Sequence, residues 1–374
     1  MIRLDSITLR EIRLPLREPF RISSGVVAER RIALLELQDA SGATAWSECV
    51  AGEWPNYSSE TIDTAWIAIE AYVAPRVLGV RFDKPADVHA TLERDFRGHQ
   101  MAKAAVEMGM WGVAAAQAGV PLAQLLGGIR ERIAVGISLG IQGSPAALAD
   151  RASAAIAEGY QKVKIKIEPG HDLDYVRAAR EALPSAELTA DANNAYTLAD
   201  AALLAELDSL DLMMIEQPLA HDDLVRHAEL QRRLRTAICL DESITSLERA
   251  QDMVTLGAGR IINIKPGRVG GFHSSIAIHN YCQRVGIPVW CGGMLESGVG
   301  RAYNVALASL ANFTLPGDLS PSRRYWQQDV VTPEWTMAED GTMAVPLDRP
   351  GIGVDVDLER VNALTVRRAV LRAL

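Results

Sequence analysis

The sequence is poor in the features that mark secreted, membrane-bound or nucleic-acid-binding chains. Its four cysteines, Cys49, Cys239, Cys282 and Cys291, are scattered, with no C-x-x-C pair among them. That spacing suits neither a disulfide framework nor a zinc site, and a reducing cytoplasm fits it best. No stretch is long and apolar enough to span a bilayer. The first residues, MIRLDSITLREIRLPL, carry charges throughout and lack the apolar segment of a signal peptide. No basic run occurs and the formal net charge is −9, which argues against nucleic acid or an anionic membrane as partner. What is present is an ordinary globular balance, 48% hydrophobic and 23% charged, in 374 residues, enough for one large domain and a smaller one.

Residues 2–15 and 31–38 alternate apolar and polar like strands, and segments 59–79, 85–98 and 102–119 have apolar residues at helical spacing. The N-terminal third therefore reads as a small meander followed by helices, an α+β arrangement. After about residue 130 the pattern changes. Short apolar runs, from IAVGIS and KVKIKI to PVWCGG and NFTLPG, alternate with helix-like stretches. Eight such runs predict a (β/α)₈ barrel. An open doubly wound sheet would alternate similarly, but no G-x-G-x-x-G follows an early strand.

Polar residues at the ends of these runs recur with one interval. Lys166 to Asp191, Asp191 to Glu216 and Glu216 to Asp241 are each 25 positions, and Asp241 to Lys265 is 24. One βα unit takes about that length, so these side chains fall near the carboxyl ends of successive strands, where barrels of this kind build their active sites. Converging carboxylates from Asp191, Glu216 and Asp241 would repel one another unless a cation lay between them. An all-oxygen set suits Mg²⁺ or Mn²⁺ rather than zinc. The competing reading is three strand-end acids that cap helices or meet surface arginines.

Lys162, Lys164 and Lys166 alternate with Val163 and Ile165, so their ammonium groups should share the face that points into the barrel. Lys162 lies deepest and is expected to make a structural salt bridge. Lys166 is expected beside the carboxylates, with its pKa lowered by crowding and desolvation toward the range of a general base. Lys164 either orients a substrate carboxylate or depresses Lys166. Lys265 approaches from across the mouth. A lysine on each side of a substrate permits abstraction and return of a proton next to a carboxylate. Other readings are a Schiff-base lyase that uses Lys166 or Lys265 as nucleophile, and a binding protein with a structural metal.

At these residues the sequence resembles the enolase superfamily in its muconate-lactonising branch. The matching motifs are KIK (Lys164, Lys166), DAN (Asp191 to Asn193), IEQP (Glu216), DES (Asp241 to Ser243) and NIKPGRVGG (Lys265). KIKIEPG, DANNAYTL, WCGGMLESGVGRA and LPGDLSPS narrow it to the o-succinylbenzoate synthase and N-succinylamino acid (N-acylamino acid) racemase group. The lysine-plus-magnesium arrangement of the superfamily is a general pattern. The resemblance implies an α+β capping domain over 1–127, the barrel over 128–322 and a C-terminal segment, 323–374, that returns to the cap. It implies Asp191, Glu216 and Asp241 as metal ligands, Lys166 and Lys265 as the acid–base pair, and Lys164 in support. Ser138, Asn193 and Gly293–Met294–Leu295 would lie near the substrate, with Phe20 and Tyr325 shaping the pocket or serving simply as core aromatics. Arg268 and Glu242 would stand behind Lys265 and Asp241, although Arg268 also reads as a turn residue that meets an acid. The segment REPFRISSGVV would be a loop that closes over the mouth, with Gly25 as a hinge. The implied activity is metal-dependent removal of a proton α to a carboxylate. It would serve o-succinylbenzoate synthesis for menaquinone, N-acylamino acid racemisation, or racemisation alone, in a cytoplasmic homo-oligomer such as an octamer.

Overall fold

A computed structural model describes residues 1–23 and 25–373. The chain opens with an antiparallel sheet. β1 (Ile2–Ile22) pairs with β2 (Gly25–Asp39), which pairs with β3 (Thr44–Cys49), and a last strand, Thr365–Arg372, returns to the free side of β1. β1 and β2 extend well beyond their predicted alternation. REPFRISSGVV is therefore not an irregular loop. Phe20 pairs with Val27 and Ile22 with Gly25, so it forms the far end of a long hairpin. Its Ser24 lies outside the described residues. Cross-strand pairing keeps the hairpin extended, and the register slips between Pro15 and Phe20, as expected where proline cannot donate to the ladder.

The helix Gln100–Ala118 joins this sheet to the rest of the molecule. It is apolar nearly all round, the pattern of a helix buried on every side. Ala102, Ala105, Val106, Met110 and Val113 face the sheet's core, while Ala104, Met108 and Ala115 face the barrel's. Two glycines allow the close approach. A Cβ at Gly109 would stand 2.6 Å from Leu37 Cδ1, and one at Gly112 2.4 Å from Tyr303 Oη.

The barrel begins at Gly136–Leu139 and continues through Lys162–Lys166, Leu188–Asp191, Met214–Glu216, Ile238–Leu240, Ile261–Ile264 and Val289–Cys291. These seven strands form one parallel ladder in chain order. Outward side chains such as Val163, Ile165, Ile215 and Ile262 are buried under the surrounding helices, as parallel sheets require. Helix starts are marked locally: Ser144, Asp223 and Ser246 each accept a backbone N–H of the first turn.

The eighth predicted strand, NFTLPG, is not a regular strand. Residues 313–318 span the gap between the seventh strand and the first through single bridges, Val289 to Phe313 and Val135 to Gly317. Pro316 has no N–H to give to a ladder, so the segment closes the barrel at isolated points. Thr314 N and Asp318 N bond to one side, and Gly317 N bonds to the other. Among the described residues, no helix is long and apolar enough to cross a membrane.

Candidate active site

Strand register sets the site. Ser138 lies opposite Lys164, Lys166 opposite Asp191, and Asp191 opposite Glu216, all pointing inward at the carboxyl ends of neighbouring strands. Adjacent strands lie about 4.8 Å apart, so charges placed this way must interact.

The three lysines on one strand are answered one by one. Lys162, fully buried, stands 3.1 Å from Asp318 Oδ1, and its ammonium lies 3.7 Å from the centre of the Trp290 ring. Lys164 Nζ lies 3.1 Å from Asp191, 3.0 Å from Glu216 and 2.6 Å from Asp318. Lys166 Nζ donates to Asp191 Oδ2 and to Asn193 Oδ1, both at 2.6 Å. Across the mouth, Lys265 donates to Asp241 Oδ2 at 2.7 Å. The other oxygen of Asp241 accepts from Arg268 and, at 2.9 Å, from the Tyr57 hydroxyl. Arg268 also donates to Tyr57 Oη at 3.1 Å.

The supporting residues fall into place behind these. Asn193 donates to Glu242 Oε1 at 3.0 Å, which links the strand ends that carry Asp191 and Asp241. Asn263 donates to Glu216 Oε1 at 2.8 Å. A Cβ at Gly293 would stand 2.5 Å from Asp318 O, so that position must be small. Leu295 holds φ at +56°, an uncommon conformation for a branched side chain and one that clusters at functional sites.

The electrostatics differ from the sequence-based expectation in one respect. Two of the lysines at the mouth, Lys164 and Lys265, are raised rather than lowered. Burial alone would lower Lys164, but Asp318, Glu216 and Asp191 outweigh it and hold the ammonium well above its usual value. Burial likewise opposes, and Asp241 overrides, at Lys265, which also stands high. The carboxylates answer in kind. Asp318 is brought down to about 2 despite burial, by Lys162 and Lys164. Asp191 and Asp241 lie below the usual range, Asp191 against burial through Lys166 and Lys164, Asp241 through Lys265 and Arg268. Glu242, raised by burial to about 7, is one exception and Glu216 another. Burial, then the neighbouring Asp191, push it to about 8, only partly relieved by Lys164.

The donor set of Asp191, Glu216 and Asp241 is hard oxygen throughout and fits a divalent cation such as Mg²⁺. Lys164 Nζ, between Asp191 and Glu216, stands where positive charge is needed. Each carboxylate is turned to an ammonium or guanidinium, and among the described residues no three of His, Cys, Asp and Glu converge as a ready-made cage.

A cavity of ≈ 830 Å³ opens above the lysines, lined by Lys166, Asn193, Lys265, Gly293, Met294 and Leu295 from the barrel and by Phe20, Val26, Arg30, Trp54 and Tyr57, among others, from the cap. A smaller one of ≈ 60 Å³ beneath it brings together Ser138, Lys164, Lys166, Lys265, Phe20 and Tyr325. Of the site residues named from sequence, the lysines' neighbours Asp191, Glu216 and Asp241, together with Arg268 and Glu242, lie outside the lining of both cavities, and the others line one or both. A separate cavity of ≈ 640 Å³ on the barrel's flank, between Arg151 and Arg324, shares no lining residue with them.

Sequence reasoning missed Asp318 and Trp290 on the barrel side, and Tyr57 and Arg30 from the cap. Continuing the interval of 25 from Lys265 arrives at Trp290, so a signal for that residue existed. Tyr57 and Arg30 had none, because they reach the site from another domain.

Comparison with known proteins places this geometry in context. Residues 5–127 match the mandelate racemase / muconate lactonizing enzyme N-terminal domain, and 147–361 the enolase C-terminal domain-like family. An o-succinylbenzoate synthase of Geobacillus kaustophilus is 47% identical over 97% of this chain and 96% of its own. An N-succinylamino acid racemase of Thermus thermophilus is 46% identical over 100% of both chains. A solved structure of an enolase superfamily member from Listeria innocua superposes with a TM-score of 0.96 at 38% identity, covering 100% of both chains.

Proposed function

The chain belongs to the enolase superfamily, in the family of mandelate racemase and muconate lactonizing enzyme, and on that premise we propose that it abstracts a proton α to a substrate carboxylate, acting as an o-succinylbenzoate synthase and as an N-succinylamino acid racemase. The observation that carries this reading is the pair Lys166 and Lys265, from the second and sixth barrel strands, lining one cavity and each held by its own carboxylate.

Lys166 takes the proton. Asp191 and Asn193 fix its amine from behind, which leaves the cavity side for the substrate carbon. In racemisation Lys265 returns a proton to the opposite face. In dehydration of a hydroxycyclohexadiene carboxylate, Lys166 gives its proton to the departing hydroxyl, so the elements of water leave and the ring becomes aromatic. Lys265 stays charged in that case and faces the negative charge that builds up. Lys164 holds the negative wall of Asp191, Glu216 and Asp318 together and keeps it from repelling the substrate. Asp191, Glu216 and Asp241 would hold the divalent cation on which this superfamily generally depends, and bound there it supplies positive charge to the substrate carboxylate. Phe20, Val26, Trp54 and Leu295 give the cavity apolar walls.

Similarity does not separate the two activities, at 47% and 46% identity, and both need the same first step. The dehydration would place the enzyme in menaquinone synthesis. Four buried free thiols suit a reducing cytoplasm. The test is proton exchange by NMR in D₂O with each enantiomer of N-succinyl-phenylalanine, with Mg²⁺ and with EDTA. Metal-dependent exchange with inversion is expected. Absence of exchange from both enantiomers would remove the racemase activity and leave the o-succinylbenzoate precursor as the substrate to assay.

A further inference from the structure

Most charged groups that line the ≈ 830 Å³ cavity have a partner of their own. Arg31 meets Glu11 at 2.7 Å and Asp63 at 2.9 Å. Glu29 meets Arg13, and Glu53 meets Arg31. Glu60 accepts the backbone N–H groups of Met101 and Ala102. Lys166 and Lys265 have Asp191 and Asp241.

Arg30 stands apart from this pairing. Its side chain comes from β2 of the cap, is 6% exposed and lines the same cavity. Among the described residues, no carboxylate lies within 4 Å of it. One guanidinium nitrogen, Nη2, donates to Val50 O at 3.2 Å, and Nε is buried without an acceptor. Glu48 and Glu296 are near enough to act on it through space, but neither accepts a hydrogen bond from it, and burial dominates to lower its pKa. A guanidinium has five N–H donors in a planar fork shaped for a carboxylate. Keeping one out of water without a counter-ion is costly, and a structure that does so beside a cavity is prepared for an anion.

We propose that Arg30 binds a second, distal carboxylate of the substrate, so that the cavity selects dicarboxylates with one acid group at the lysines and the other at the cap. This rests on the functional reading above and deepens it. Of the two substrate types named there, each has a reacting carboxylate and a succinyl arm that ends in another. The cap would then contribute a specific charge contact as well as apolar walls, and the preference for a succinyl over a neutral acyl group would reside in a residue remote from the proton transfer.

The test compares N-succinyl-phenylalanine with its N-succinamyl analogue, in which a neutral amide replaces the distal carboxylate at equal size. Calorimetric affinities are measured with Mg²⁺ present for the wild type, Arg30→Met and Arg30→Lys, each checked for folding by thermal melt. We expect the wild type to bind the carboxylate form roughly 10- to 100-fold more tightly, as for a charge-assisted pair. Arg30→Met should lose that ratio and Arg30→Lys keep part of it. A wild type that does not discriminate, or an Arg30→Met that still does, would overturn the assignment. Should Arg30→Met fail to fold, a full ratio in Arg30→Lys together with a wild type indifferent to chloride-for-sulfate exchange would also count against it. Discrimination by the wild type without any proton exchange would instead sink the enzymatic reading and leave the Arg30 assignment standing.

Discussion

The barrel mouth and the cap rim face one cavity and are built in opposite ways. At the barrel mouth, Lys162, Lys164, Lys166, Lys265 and Arg268 stand against Asp191, Glu216, Asp241, Glu242 and Asp318, nearly all touching an opposite charge. At the rim the wall is Phe20, Val26 and Trp54, with one buried cation, Arg30, left over. Strand pairing explains the first pattern: parallel register holds charged side chains at fixed spacing, where each must be neutralised. Domain packing explains the second, since the cap must be apolar enough to dock and close. On the two proposals above, proton transfer would lie on the barrel and substrate choice on the cap, and the two are joined at two kinds of contact.

One contact is the buried glutamates that cross the interface. Glu48 of β3 accepts from Ser297 N, Ser297 Oγ and Gly300 N at the start of the barrel helix Gly298–Ala308. Glu107 accepts from Phe272 N and His273 N at the start of Phe272–Val285. Cap carboxylates thus satisfy the orphan donors of two barrel helices. The other contact is Tyr57, which reaches Asp241 and Arg268 and lays its ring 4.4 Å from the Lys265 ammonium.

The contrast breaks most severely at Lys166. Lys166→Ala should reduce exchange and dehydration by about 10²- to 10⁴-fold, with Mn²⁺ affinity by calorimetry little changed. Survival of either activity would mean another base. Asp241→Asn should come next. It removes one of three negative ligands and leaves Lys265 and Arg268 facing an amide, so metal affinity should fall by more than the roughly 10- to 100-fold seen for outer partners of a metal. Undiminished Mg²⁺ titration would dissolve the metal-site assignment.

A stability test sharpens the other side. Glu48→Ala strands three buried donors and should cost about 2–4 kcal/mol in denaturant unfolding. Burial raises Glu48 to about 8 from an ordinary 4.5, and Glu107 to about 7. The folded state therefore binds more protons than the unfolded one between those values. Stability from these groups falls as pH rises from about 5 to about 8. Glu48→Gln should flatten that decline, and an unchanged slope would show Glu48 ionised throughout. The smallest effect is expected of Tyr57→Phe, which keeps the ring over Lys265 and loses the hydroxyl. A loss of about fivefold in kcat, near 1 kcal/mol, is expected. A silent substitution would make the cap no more than a wall at that point.

The interval of about 25 residues, the alternation of KVKIK and the acidic strand ends made the barrel, its lysines and its carboxylates legible, because a βα unit has a characteristic length and a strand a period of two. The closing segment 313–318 was misread as a strand, since an apolar run around Pro316 gives the same signal whether or not a ladder forms. The hairpin arms around 18–22 and 25–27 read as a loop, because proline, serine and glycine within REPFRISSGVV give the signal of a turn. Sequence alone thus determined most of the charges at the mouth, Asp318 excepted, from local geometry repeated unit by unit. Only the tertiary structure decided which charge neutralises which, that Tyr57 and Arg30 arrive from the cap, and that the pKa values of Lys164 and Lys265 lie high. Those outcomes depend on burial and on distances between residues remote in the chain, which no local period encodes.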